Sequence, residues 1–320
     1  MIPAHTARVA SWLAAAAAAL VILSAAGPAP AQAGPAPPPA QASTAASAGS
    51  PPDIVTAPTL IASTAAGDVG YRQVGTGSPV LLIMGFGGSM DNWAPSFVDA
   101  LATRHTVVVF DNAGIGGTAA LPAPMSISAM AGQTSALITA LHLGRTTVLG
   151  WSMGGMIAQA LAALHPSQVS QLILAATQAG TGASLPIPAA AAAALASSDP
   201  ATVLSVLFPP DQAAAAESYL TGILQYPGYY GASAAVKTEQ TAAIQQWMAG
   251  DDPAGRQLSR IRARTLVADG TLDQLDPVPN DRLLARGIPR ALLLLYPDAG
   301  HAFLFQDAAQ FVPAIERFVR

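Results

Sequence analysis

The chain contains no cysteine. Disulfides, thiol nucleophiles, lipid attachment through sulfur and thiolate metal sites are therefore excluded together. Charge is also scarce: Asp, Glu, Lys and Arg make up 10% of the 320 residues, with a formal net charge of −4. Such a balance leaves no basic patch for nucleic acid and no acidic tail. Aromatic residues amount to only 6%. Alanine is the main contributor to the high apolar content, so that content does not mark a membrane protein outside one N-terminal segment.

That segment comes first. Arg8 and His5 are its basic groups, and an apolar run from Leu13 to about Ala26 follows. Gly27-Pro28 and then Ala31-Gln32-Ala33 succeed it. A weakly positive end, a short apolar run and a small-x-small site read as a secretory signal peptide over residues 1–33, cleaved after Ala33. About 14 apolar residues fall short of the roughly 20 that span a bilayer, so no stable membrane anchor is expected after cleavage. The expected location is periplasmic or extracellular. Residues 34–58 are Pro, Ala, Ser, Gly and Thr with almost nothing to bury, and read as a disordered linker. The remaining domain, 59–320, is long enough for a sizeable core, and without disulfides that core must hold the fold alone.

From about residue 60 short apolar runs alternate with helix-length segments. The runs are Pro79–Met84, Thr106–Phe110, Thr146–Leu149, Gln171–Ala175, Arg264–Ala268 and Ala291–Tyr296. Each is apolar almost throughout, as expected for strands buried on both faces of a parallel sheet. Ser128–Leu141, Met153–Leu164 and Ala308–Val319 are the helical stretches between and after them. This rhythm implies an α/β fold with a doubly wound sheet. It is interrupted over about 180–258, where Ala-rich helical stretches near 187–197, 200–207, 211–225 and 232–249 carry Tyr226, Tyr229, Tyr230 and Trp247. The interruption reads as a helical cap over the carboxyl edge of the sheet.

Gly150-Trp151-Ser152-Met153-Gly154-Gly155 follows one strand and opens a helix. Glycines flank the serine because a sharp strand-to-helix turn leaves no room for side chains there, and the turn lifts the hydroxyl above the sheet edge. Ser152 is thus the candidate nucleophile. Of five histidines, His5 lies in the signal segment, His105 precedes a strand at the amino end of the sheet, and His142 and His165 end helices. His301, just beyond the last strand, is left as the base. An imidazole base needs a carboxylate to orient it. The loop after Ala268 offers Asp269, Asp273 and Asp276, with Asp273 favoured by position and the other two open. An oxyanion hole needs two convergent backbone N–H groups. Met153, after the nucleophile, and Phe86, in the glycine-rich Gly85–Ser89 loop, are the expected donors.

Together, Met84–Trp93, Phe110–Thr118, Gly150–Gly155 and Gly270–Asp273 with Ala299–His301 resemble the α/β-hydrolase superfamily, in its single-domain bacterial esterase, lipase and perhydrolase-like branch. The resemblance implies a mostly parallel eight-stranded sheet with helices on both faces and the cap between its sixth and seventh strands. It also favours Asp273, three positions after a glycine, as the acid. Met84 stands where the family commonly has a histidine, which removes a side chain that often braces the oxyanion loop. Phe110–Thr118 is implied to be a structural turn. The reading is a secreted serine hydrolase, a carboxylic ester hydrolase working on a small-molecule ester through an acyl-enzyme, without cofactor or metal. A cofactor-free perhydrolase or haloperoxidase-like enzyme with the same triad is the alternative, followed by a non-catalytic binding protein on the same fold.

Overall fold

A computed structural model of the protein describes residues 52–320. The signal segment and most of the linker lie outside them. Residues 53–57, the end of the expected linker, are folded onto the domain: Ile54 is fully buried and its N–H donates to Asp99 Oδ1 at 2.9 Å. Asp53 caps the turn with a bond from the Val55 N–H. One buried isoleucine is enough to anchor a stretch that is otherwise small and polar.

Eight strands form one sheet: β1 (Leu60–Thr64), β2 (Gly67–Val74), β3 (Ser78–Ile83), β4 (His105–Phe110), β5 (Thr146–Trp151), β6 (Val169–Ala175), β7 (Arg264–Gly270) and β8 (Leu292–Tyr296). Their spatial order is β1-β2-β4-β3-β5-β6-β7-β8. The β1–β2 and β2–β4 pairs are antiparallel and the others parallel. The six parallel strands coincide with the six apolar runs. The β1–β2 hairpin was not foreseen, because an edge hairpin buries few of its side chains and so shows no apolar run.

Successive strand residues face opposite layers. Leu82, Val107, Val109, Leu149, Ile173 and Leu266 pack on one side, against α1 (Pro95–Ala102), the terminal α10 (Ala308–Val319) and part of the cap. Leu81, Ile83, Val108, Val148, Leu172 and Val267 pack on the other, against α2 (Ile127–Ala140), α3 (Met153–Leu164) and α8 (Val278–Gly287). Burial on both faces is the reason the strands read as continuous apolar runs. At roughly 25 cal/mol per Å², two such layers supply the bulk of the stability that a chain without disulfides needs. Helices α1 and α8 went unread. The first is only 8 residues long, and the second mixes Pro, Asn, Asp and Arg with few apolar positions.

The cap consists of α4 (Ala189–Leu195), α5 (Pro200–Leu207), α6 (Ala213–Ile223) and α7 (Ala234–Ala249), all between β6 and β7. Asp199 caps α5 and Ser233 caps α7, each side chain accepting an N–H from the first turn. Gly250, at φ +78°, ends α7. The cap covers the carboxyl ends of the parallel strands, where the loops carrying Phe86, Ser152, Asp273 and His301 meet. A four-residue helix, α9 (Phe303–Gln306), follows His301.

Candidate active site

Ser152 stands between β5 and α3 at φ +57°, ψ −124°. A non-glycine residue held there costs on the order of 1–3 kcal/mol and persists only where its surroundings fix it. Here they do. The Ser152 N–H donates to Ala175 O at 2.9 Å, and its carbonyl accepts from the Gly155 N–H (2.8 Å) and the Thr177 hydroxyl (2.7 Å). The flanking glycines have a steric cause. A Cβ on Gly150 would lie 2.2 Å from Gly154 O, and one on Gly154 only 2.0 Å from Ile83 O. Strand, turn and helix therefore close on each other without room for a methyl group.

His301 lies past β8, at the end of a turn that Gly300 completes. Its Nδ1 is 2.6 Å from Asp273 Oδ2, and both side chains are buried. The other oxygen of Asp273 accepts the N–H groups of Leu275 (2.6 Å) and Asp276 (2.9 Å). A carboxylate so held orients the ring with its proton on Nδ1 and leaves Nε2 as the basic nitrogen. The β7 and β8 loops can come this close because Gly270 lacks a side chain: a Cβ there would sit 2.2 Å from Ala299 O. Trp151 adds a contact that sequence reasoning missed. Its Nε1–H donates to His301 O at 2.9 Å, with the two rings 5.7 Å apart. It occupies the free position of the serine motif, which carries no local signal for a partner 150 residues away.

The other two aspartates of the loop do not reach His301. Asp269 Oδ1 accepts its neighbour Gly270 N–H at 2.7 Å, and Asp276 Oδ1 accepts from Asn280 Nδ2 at 2.9 Å. With Asp281 they form a buried group whose carboxylate oxygens lie within 4.8 Å of one another. Among the described residues it is the one cluster spaced to surround a cation. Burial first, then mutual repulsion, pushes the carboxyls of Asp269 and Asp276 well up. Burial likewise pushes Asp281 up to about 8. For Asp281 the protonated form is thereby favoured at neutral pH.

The Gly85–Ser89 loop passes over Ser152, so closely that a Cβ on Gly85 would be 3.1 Å from Ser152 Cβ. Phe86 N–H and Met153 N–H find no acceptor among the described residues. The cap fastens this loop. Gln240 Oε1 on α7 accepts the Gly87 N–H at 2.8 Å, the Ala232 N–H donates to Gly87 O at 3.0 Å, and Ser89 Oγ donates to Tyr230 O at 2.6 Å. Tyr229 OH accepts from Asn92 Nδ2 at 2.8 Å. Asn112 Nδ2 donates to Met84 O at 2.8 Å, and so holds the position where the bracing histidine is missing. Tyr230 OH donates to Asp111 Oδ2 at 2.6 Å, and burial raises that carboxyl to about 6. Asp111 lies beneath the loop and ties it to the cap. His105, at the opposite end of the sheet, bonds Ser78 and Glu316.

Ser152, Trp151, His301 and Phe86 face one cavity of about 230 Å³. Leu195, Val203, Leu204, Leu207, Leu220 and Ile223 of the cap line its roof.

Residues 78–308 match the model of the alpha/beta hydrolase fold family. The chain belongs to that family. A putative carbamate hydrolase RutD of Azorhizobium caulinodans is 31% identical over 247 residues, covering 74% of this chain and 89% of that one. A poly(3-hydroxyalkanoate) depolymerase of Ectopseudomonas oleovorans is 28% identical over 253 residues, covering 76% and 84%. Among solved structures, an alpha/beta hydrolase fold protein from Chitinophaga pinensis superimposes with a TM-score of 0.71 at 26% identity, over 83% of this chain and 98% of that one. The protein is accordingly a hydrolase of the α/β fold.

Proposed function

We propose that the protein is an exported serine esterase that hydrolyses carboxylic esters through an acyl-enzyme. One observation carries the reading: His301, joined to the buried Asp273 at 2.6 Å, faces the same cavity as a serine held at positive φ on a strand-to-helix turn. Ser152 Oγ attacks the ester carbonyl and loses its proton to His301 Nε2. Asp273 stabilises the imidazolium without taking the proton. Negative charge develops on the carbonyl oxygen, where the Phe86 and Met153 N–H groups receive it. Each such donor contributes on the order of 3 kcal/mol to the transition state. The imidazolium then protonates the departing alcohol. Water follows, deprotonated by the same nitrogen, and releases the acid. The RutD and depolymerase relatives support hydrolysis as the reaction class, and the apolar cap roof supports a small or medium acyl chain.

The test is turnover of p-nitrophenyl butyrate by the purified protein and its Ser152→Ala variant. A fall of about 10⁴-fold or more is expected, and equal rates would sink the reading. Faster peracid formation than hydrolysis in the presence of peroxide would shift it to the perhydrolase alternative. Export is tested separately, by N-terminal sequencing of the protein recovered outside the cytoplasm. Cleavage after Ala33 is expected, and an intact Met1 would contradict it.

A further inference from the structure

The cavity roof is mostly aliphatic, with Ser197, Ser198, Tyr219 and Tyr229 at its polar points, and one cation joins them. Lys237, on α7, lines the cavity and is half-buried. It is also the only lysine in the chain. Its stem lies along the oxyanion loop: a Cβ on Gly87 would meet Lys237 Cε at 3.0 Å, Cγ at 3.7 Å and Cδ at 3.8 Å. Lys237 and Gln240, three residues apart, share one helical face, so the residue that holds the Gly87 N–H sits beside the one that covers its Cα.

Among the described residues the ammonium has no counter-ion within ion-pair distance. The ion pairs among the described residues are Arg72–Asp91, His105–Glu316 and His301–Asp273. Glu239, the nearest acid along α7, has an oxygen engaged with the Met125 N–H at 3.1 Å. A partly desolvated cation beside an apolar chamber is costly unless something of opposite charge meets it. The loop residue that its stem covers adjoins Phe86, whose amide is the proposed oxyanion donor. The stem's contact at Gly87 therefore lies one Cα step, about 3.8 Å, from the Phe86 Cα.

We infer that the substrate is an ester whose acyl chain ends in a carboxylate: Lys237 binds that anion, and the cap aliphatics take the methylenes between. The inference rests on the esterase reading, and names the substrate class for that same site. It also gives the cavity its polarity, since a neutral chain of equal length would fill the aliphatic roof but leave the ammonium unmatched.

Two esters of equal length separate the cases, mono-p-nitrophenyl adipate and p-nitrophenyl hexanoate. The ratio of their kcat/KM values, anionic over neutral, is expected to fall at least tenfold in Lys237→Met and to stay within about threefold in Lys237→Arg. In the wild type the ratio should also drop between low and high salt, because an ion pair at a half-buried site is partly screened. An unchanged ratio in Lys237→Met overturns the inference, and places the ammonium in solvent with its stem as mere cover. A second reading avoids turnover altogether: calorimetric binding of monoethyl adipate to the Ser152→Ala protein, with and without Lys237→Met. Tenfold weaker binding in the double variant supports the carboxylate site even if neither chromogenic ester is cleaved, in which event only the esterase reading fails. Equal binding removes Lys237 from recognition whatever the hydrolysis assay gives.

Discussion

Replacing Asp273 by Asn would separate the acid's catalytic part from its structural part. Asp273 Oδ1 accepts two backbone N–H groups, at 2.6 and 2.9 Å, and the amide oxygen of Asn can accept both. The third bond cannot survive in its present sense. An amide NH₂ facing His301 Nδ1 is a donor where the carboxylate was an acceptor, so the ring must place its proton on Nε2. A ring protonated there cannot take the proton of Ser152. The expected loss in kcat is about 10⁴-fold, or roughly 5 kcal/mol at 1.36 kcal/mol per decade. Folding should hardly suffer. Two of three hydrogen bonds persist, and the repulsion that Asp273 exerts on Asp269, Asp276 and Asp281 is relieved; Tm is expected within a few degrees of wild type or slightly above. Asp276→Asn is the companion, because its carboxyl bonds Asn280 and not His301. It should lose less than about tenfold in kcat. The assay is p-nitrophenyl butyrate turnover beside thermal unfolding. Asp273→Asn retaining a tenth of wild-type activity, or Asp276→Asn proving the more damaging, would refute the geometry on which the site rests.

Two further outcomes follow from other parts of the fold. Asp281 is raised to about 8 chiefly by burial, so the folded state binds a proton that the unfolded chain releases near its ordinary carboxylate range. Stability from that proton is complete below about pH 4 and is lost as pH rises towards 8; Tm should decline across this window, and the Asp281→Asn variant should flatten the decline. Gln240→Leu leaves the half-buried Gly87 N–H without its acceptor, a loss of about 1 kcal/mol. The Phe86 donor beside it then loosens, and kcat is expected to fall about tenfold with KM changing less; a rise in KM at constant kcat would show instead that Gln240 serves only to shape the cavity.

Much of this site was readable along the chain because its causes are local. Gly150 and Gly154 report a turn with no space for Cβ, and six apolar runs report strands covered on both faces. The β1–β2 hairpin left no such trace, since most of its side chains meet solvent or only one layer. Spacing alone left Asp269, Asp273 and Asp276 open, because the choice depends on where each carboxyl turns. Asp276 is drawn to Asn280 on α8 and Asp269 to its own loop, which leaves Asp273 facing the imidazole. The aromatics of the cap were conspicuous as composition, yet their task was hidden. Tyr230 meets the Gly85–Ser89 loop at Ser89 and Tyr229 meets Asn92 just beyond it, while Trp151, on β5 and not in the cap, meets His301, all across separations of more than a hundred residues. Gln240 and Lys237 gave no signal at all, being ordinary polar positions on a helix until the fold brings them over Gly87.

The most direct test of the account is where a fluorophosphonate probe attaches. The purified protein should be labelled stoichiometrically, with mass spectrometry placing the adduct on the peptide containing Ser152 and no adduct in Ser152→Ala. His301→Ala should slow the labelling by about 10³-fold or more, because the serine then has no base. Labelling at another serine, or labelling of Ser152 at an unchanged rate without His301, would contradict a nucleophile activated by this histidine.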